Sequence, residues 1–337
     1  MEPAPGMRIC DPACGTGGFL LAAYESIARS GLLDPDQKRF LRYDALRGWE
    51  IVDNTARLCV MNLLLHGIGS EEAASPIVVD DALKADPGER FEMVLTNPPF
   101  GRKSSMTFVS EEGEVGREDL VVVRDDFWAS TSNKQLNFVQ HVKTLLAIGG
   151  RAAVVVPDNV LFEGGAGETV RRKLLDECDV HTLLRLPTGV FYAQGVKANV
   201  LFFDRKPASE TPWTRELWVY DLRTNQHFTL KQNPLRHEHL GDFSAAFSAE
   251  DRDARVESER FRRFTYDDLV ARDKVSLDLV WLRDESLEDL ENLPPPDMTA
   301  QEIVEDLEAA LAEFAAVAEG LARHDAELVL SAIRSRS

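Results

Sequence analysis

The chain is poor in cysteine and has no long apolar run. Nowhere in its 337 residues do about 18 uncharged apolar residues follow one another, so no membrane-spanning helix and no membrane partner are expected. The opening MEPAPGMRIC lacks a basic stretch followed by an apolar core, so export is not expected. Cys10, Cys14, Cys59 and Cys178 lack the paired spacing of a zinc site and read as reduced thiols of a cytoplasmic protein. No metal is expected, and no internal repeat suggests a solenoid. Basic residues are missing from one region altogether. Between Asp284 and Glu313 stand eleven Asp or Glu and no Lys or Arg, leaving the remainder with only −8 of the formal −19. Bulk acidity therefore says little about any one cleft and does not exclude nucleic acid.

With 44% hydrophobic residues the chain can bury a full core. Short β-like runs alternate with amphipathic stretches through the first 200 residues, which predicts a doubly wound, mostly parallel α/β sheet. Strands are expected at 8–11, 43–50, 76–80, 91–96, 151–157 and 216–222, with 180–187 and 198–204 paired antiparallel at one edge. Helices are expected at 18–29, 54–66, 134–147 and 167–178, the third stopped by Gly149–Gly150. Residues 101–132 have few periodic apolar positions and read as a long loop. A catalytic domain is drawn over 1–230, an irregular extension with a Pro-rich linker over 231–297, and a C-terminal helix over 298–337. That helix repeats Ile303, Leu307, Leu311, Phe314, Ala318 and Leu321 at three- and four-residue steps, a seam suited to a partner helix.

Three expected strand ends carry acids. DPACGTGGF, Asp11 to Phe19, is a glycine-rich strand-to-helix turn where backbone can approach a ligand closely. Leu20 stands where a third glycine would complete the dinucleotide fingerprint, and Asp11 favours a cationic group over pyrophosphate. Glu50 is placed to accept from ribose hydroxyls, or simply to open the next helix. Asp81 can accept from an adenine amino group, or cap a turn.

The fourth strand ends in TNPPFG, Thr96 to Gly101. Two prolines cannot continue a central strand, and the residue before a proline is held extended. The Asn97 side-chain oxygen and the Pro98 carbonyl can then both accept from one exocyclic NH₂, aiming its lone pair at an electrophile. Phe100 offers a face for a planar base.

In this order DPACGTGGF, GWEI, the Asp81 turn and NPPF resemble the amino-methyltransferases that use S-adenosyl-L-methionine. More narrowly, NTARLCVMNLLLHGI, TNPPFG, GGRAAVVVPDNVLFEGGA, LLRLPTGVF, GVKANVLFFDR and YDLRTN resemble the modification subunit of type I restriction-modification systems, an N6-adenine DNA methyltransferase. The resemblance covers nearly the whole chain. It implies a Rossmann-like methyltransferase sheet with a C-terminal helical extension. It implies that Asp11, Gly15, Thr16 and Gly17 hold the methionine moiety, with Ala13 in the same cofactor-binding turn. Glu50 would hold the ribose and Asp81 the adenine, while Asn97, Pro98, Pro99 and Phe100 form the catalytic site. The implied partners are double-stranded DNA, a specificity subunit, a restriction subunit and a second modification subunit.

The implied reaction moves methyl to N6 of an adenine that has left the duplex stack. Arg102, Lys103, Arg117, Arg124 and Lys134 are candidates to meet phosphates, and the terminal helix to pair with the specificity subunit. Members carry a helical domain ahead of the glycine-rich turn, whereas ten residues precede Asp11 here, so weak cofactor binding by the isolated chain is expected. The rival readings are a truncated, inactive scaffold, a protein-glutamine or ribosomal-RNA guanine methyltransferase, and an N4-cytosine enzyme. The second more often has tyrosine after NPP, and the third serine before the prolines.

Overall fold

The structure is a computed structural model that describes residues 1–283 except 71, 101–104, 110–114, 120, 192–195, 227, 230–232 and 248–251. For 105–109 and 115–119 it describes the backbone alone. The linker, the terminal helix and its seam lie outside the described residues, as do the side chains of Arg102, Lys103 and Arg117.

The main sheet has nine strands. In chain order they are β1 (Ile9–Asp11), β2 (Leu46–Glu50), β3 (Ile77–Val79), β4 (Phe91–Thr96), β7 (Leu146–Pro157), β8 (Cys178–Arg185), β9 (Ala198–Arg205), β10 (Glu216–Asp221) and β11 (Phe261–Thr265). Between β4 and β7, β5 (Ser105–Val109) and β6 (Val115–Asp119) pair antiparallel as a separate two-stranded sheet. The order across the main sheet is β11-β10-β8-β9-β7-β4-β1-β2-β3. β1 lies parallel between β2 and β4, so chain progression reverses direction at β1. In an open α/β sheet the crevice beyond the carboxyl ends at such a reversal is where ligands bind.

The helices are α1 (Gly18–Arg29), α2 (Pro35–Tyr43), α3 (Asp53–Leu65), α4 (Lys134–Leu145), α5 (Asp158–Phe162), α6 (Ala166–Glu177), α7 (Gly241–Ala246) and α8 (Tyr266–Val270). α2 was missed from sequence, although DPDQ is a full start signal. The Asp34 carboxylate accepts from the Gln37 N–H, Gln37 reaches back to Asp34, and Pro35 takes the first turn. Its presence shortens the expected strand at 43–50 to Leu46–Glu50.

Four further expectations need correction. β8 and β9 do pair antiparallel, but inside the sheet, with β9 bonded on its other side to β7 and β8 to β10. Both are buried along most of their length, as interior strands must be. The antiparallel edge pair is β10 with β11, whose Arg262 and Arg263 are exposed and blunt the edge. The domain boundary expected at 230 falls inside a compact unit running from Met1 to Leu282, because β11 completes the sheet. The loop expected at 101–132 contains the β5–β6 pair, whose antiparallel backbone ladder needs no helical periodicity. Gly149–Gly150 is not a helix stop, because β7 already begins at Leu146. Gly150 is required there: a Cβ would come within 2.8 Å of the Phe91 carbonyl.

Candidate active site

Each strand end at the chain reversal delivers one group. Where β1 ends, the Ala13 N–H donates to Asp11 Oδ1 at 3.0 Å, turning the chain sharply. The Gly15 N–H then donates to Glu50 Oε2 at 3.1 Å, and the Val52 N–H to Glu50 Oε1 at 2.8 Å. Glu50 therefore ties the glycine-rich turn of β1 to the exit of β2. Each of its oxygens keeps capacity for a further donor.

Gly17 caps α1 with φ of 88°, and a Cβ there would stand 2.9 Å from the Cys59 sulfur. We expect Gly17→Ala to destabilise the chain by about 1–3 kcal/mol through left-handed strain plus overlap. Urea unfolding reads this directly, and an unchanged midpoint would contradict it.

Asp11 is buried, and desolvation pushes its carboxyl up from 3.8 to about 7. Glu50 nearby adds to the rise. The adjoining Thr96 hydroxyl offsets it only in part, being itself buried without a hydrogen bond of proper geometry. The folded state thus retains a proton that the unfolded chain releases. Stability is greatest below the unfolded value, falls as pH climbs from about 4 to about 7, and is flat above. Asp11→Asn removes this dependence. Its stability relative to the parent should improve between pH 4 and pH 8 by on the order of a few kcal/mol. Parallel pH curves for the two proteins would refute the assignment.

After β3, Asp81 Oδ1 accepts from the Leu83 N–H at 2.9 Å and Asp80 pairs with Lys84 at 3.1 Å. The Asp81 carboxylate is thereby aimed without being consumed. Beyond β4, Asn97 is exposed and its side chain makes no hydrogen bond among the described residues, while Pro98 is buried. Phe100 is half-buried and meets Phe191 edge-on, centroids 5.5 Å apart at 82°. Pro99 offers its carbonyl to the Gln135 amide at 3.1 Å.

One cavity of about 530 Å³ gathers these ends. Ala13, Gly15, Glu50, Asp81, Asn97 and Pro99 line it, as do Pro12, Trp49, Val122, Lys134 and Phe138. Its size suits a cofactor-sized ligand. Thr16, Gly17, Pro98 and Phe100 do not line it. Thr16 is exposed and its carbonyl accepts from Asn62, whereas Gly17 packs under the turn. Asp11 stands behind the lining, next to Pro12 and Ala13. Trp49, Val122 and Phe138 were not foreseen from sequence. Trp49 precedes Glu50 and Phe138 sits one turn past Lys134, so strand and helix spacing carried a faint signal for two of the three.

Arg124 is not free to meet a phosphate. Its guanidinium is bound to Asp126 at 2.7 Å and to the Leu83 carbonyl at 3.2 Å. Lys134, in contrast, stands at the cavity.

Acidic strand ends, a glycine-rich turn and a proline-rich exit meet around one crevice. The decisive comparison is a family model described as N-6 DNA Methylase, which matches residues 1–278. The chain belongs to the N-6 DNA methylase family. Among its relatives is the methylase subunit of the type I restriction enzyme EcoKI of Escherichia coli K12. The two are 38% identical over 96% of this chain and 66% of that relative. The EcoEI methylase subunit of Escherichia coli is 31% identical over 81% of this chain and 53% of its own. The crystal structure of the EcoKI M protein aligns with a TM-score of 0.73 at 36% identity, covering 93% of this chain and 68% of that one. A chain solved in work on complex assembly of the type I R-M system aligns at 0.67 with 28% identity, covering 95% of this chain and 63% of that one. This N-6 DNA methylase chain thus spans about two thirds of the length of the EcoKI subunit and about half that of the EcoEI subunit.

Proposed function

We propose that the chain is the catalytic part of a DNA adenine-N6 methyltransferase and works as the modification subunit of a type I restriction-modification complex. The observation that carries this reading is the convergence of Glu50, Asp81 and Asn97 on a single cavity at the chain reversal of the sheet. The relatives supply the target chemistry, since they are methylase subunits of that system.

S-adenosyl-L-methionine fits the donor set. The turn at Ala13 and Gly15 lets backbone approach the ligand, while the buried Asp11 carboxyl and the buried Thr96 hydroxyl, which has no well-formed hydrogen bond among the described residues, favour a cationic, hydrogen-bond-donating group. Thr16 and Gly17 continue the turn that frames the methionine moiety. Glu50 accepts from ribose hydroxyls and Asp81 from the adenine amino group. When bound, the cofactor supplies an electrophilic methyl on sulfonium.

This chain's own residues do the rest by positioning. The Asn97 side-chain oxygen and the Pro98 carbonyl accept the two N–H bonds of the target adenine amino group. Held so, the N6 lone pair leaves conjugation and points along the line of transfer, and the surplus proton departs to water. Phe100 stacks on the base once it leaves the duplex, and Pro99 stiffens the exit. Lys134, which lines the cavity, meets a target-strand phosphate. Double-stranded DNA is the substrate. A specificity subunit, a restriction subunit and a second modification subunit are the partners, and the cytoplasm is the compartment.

Calorimetry on the assembled complex tests the cofactor assignment. Glu50→Ala and Asp81→Ala should each weaken S-adenosyl-L-methionine binding by about tenfold or more through loss of a charge-assisted hydrogen bond. Unaltered affinity in both variants would move the cofactor elsewhere.

A further inference from the structure

The segment Asn97–Phe100 is nearly without hydrogen bonds. Neither proline has an N–H, and the strand ladder ends at Thr96. Among the described residues one hydrogen bond reaches any atom of this segment, from Gln135 Nε2 to the Pro99 carbonyl at 3.1 Å. Gln135 is itself buried at 7% exposure, and its backbone is fixed by the cap of α4. Asn133 Oδ1 accepts from the Gln135 and Leu136 N–H groups at 3.0 and 3.2 Å. Asn133 Nδ2 in turn donates to Glu163 at 2.6 Å.

We propose that Gln135 is a positioning residue for base capture: by holding the Pro99 carbonyl it sets where the Asn97 and Pro98 oxygens stand. This rests on the reading of residues 97–100 as the acceptors of the target amino group. The mechanics follow from proline. Both rings fix φ, so beyond Asn97 the two ψ angles at Pro98 and Pro99 are the soft torsions leading to Phe100. Anchoring the Pro99 carbonyl limits both and so orients the Pro98 carbonyl one peptide earlier. A rigid helix start, rather than the strand, thereby becomes the reference for the acceptor pair. A displacement of about 1 Å at such a pair costs on the order of a hundredfold in rate, so one hydrogen bond has large leverage.

The test uses the full chain in its complex with a duplex substrate. Gln135→Met keeps volume and loses the donor. It should lower kcat about tenfold or more while KM for S-adenosyl-L-methionine and the melting temperature stay near those of the parent. Gln135→Glu turns the donor into an acceptor when ionised and restores an O–H donor when protonated. Its rate relative to Gln135→Met should therefore rise as pH falls from 8 to 6. Equal kcat for Gln135→Met and parent overturns the role, as does a loss of kcat matched by equal losses in cofactor affinity and melting temperature. A flat pH ratio between the two variants also overturns it. A parent complex that leaves adenine unmethylated overturns the functional reading, and this role with it, before the variants are compared.

Discussion

Asn97→Ala in the assembled enzyme is expected to remove methyl transfer almost entirely, by about a thousandfold or more, and to leave cofactor affinity within a few-fold of the parent. The asparagine side chain is exposed at the cavity with no hydrogen bond among the described residues, so its removal strands no buried group there and costs little stability. What disappears is one of two acceptors for the target amino group, used only as the nitrogen becomes nucleophilic. Phe100→Ala should behave differently. Its ring packs on Phe191, and truncation should chiefly weaken capture of the flipped base, by about 1–3 kcal/mol for a lost stack. Calorimetry with S-adenosyl-L-methionine beside steady-state rates separates the cases. If Asn97→Ala loses cofactor affinity in proportion to rate, the asparagine serves the cofactor, and the division between the β1–β2–β3 ends and the β4 end is wrong.

Arg171→Met is expected to have the largest effect on stability, about 3–5 kcal/mol, because it strands several buried acceptors together. Arg171 lies on α6 at 2% exposure. Its guanidinium donates to four carbonyls: Val275 at 3.0 Å, Val160 at 2.8 Å, Glu163 at 2.7 Å and Lys274 at 2.6 Å. Burial lowers its pKa to about 10, so it remains charged at neutral pH. Two of its acceptors belong to a strained turn, in which Lys274 and Val275 have φ of 55° and 50°. Such values are costly for a β-branched residue and persist only where the surroundings impose them. Losing the guanidinium frees that turn and loosens Leu277 and Leu279, both in the core. Arg171→Lys keeps the charge but not the four-way geometry, so it should recover little. Urea unfolding of parent and variants gives the comparison. A loss below about 1 kcal/mol in Arg171→Met would show that the turn is held by packing instead.

The parts of the site built from contiguous sequence were legible. Asp11 with Gly15, Glu50, Asp81 and Asn97 each sit at a strand exit, and a strand exit has local signals: an apolar run, then glycine, acid or proline. Their convergence needs only the rule that parallel strands share a carboxyl edge. Contacts across the chain were harder to see. Gln135 reaches Pro99 from 36 positions away, and nothing in KQLNF marks that glutamine apart from ordinary helix polarity. Arg124 read as a free cation although its ion-pair partner Asp126 stands two positions on, and its further partners Leu83 and His141 are distant in sequence. The place of β9 was misjudged for a related reason. Periodicity reports how many faces of a strand are buried, yet its neighbours are set by topology, and ANVLFFD is apolar enough for either position. Strand β11 was lost because FRRFT, exposed at the edge, has almost no apolar pattern to find.

The central claim is a single bond formed at a single atom, and nucleoside analysis reads it directly. The chain assembled with its specificity subunit would be incubated with duplex DNA and S-adenosyl-L-methionine labelled in the methyl group, and the DNA then digested to nucleosides. The account predicts label in N6-methyldeoxyadenosine alone, reduced about a thousandfold or more when Asn97→Ala replaces the parent chain. Label in N4-methyldeoxycytidine, in protein glutamine, or at equal level with Asn97→Ala would contradict it.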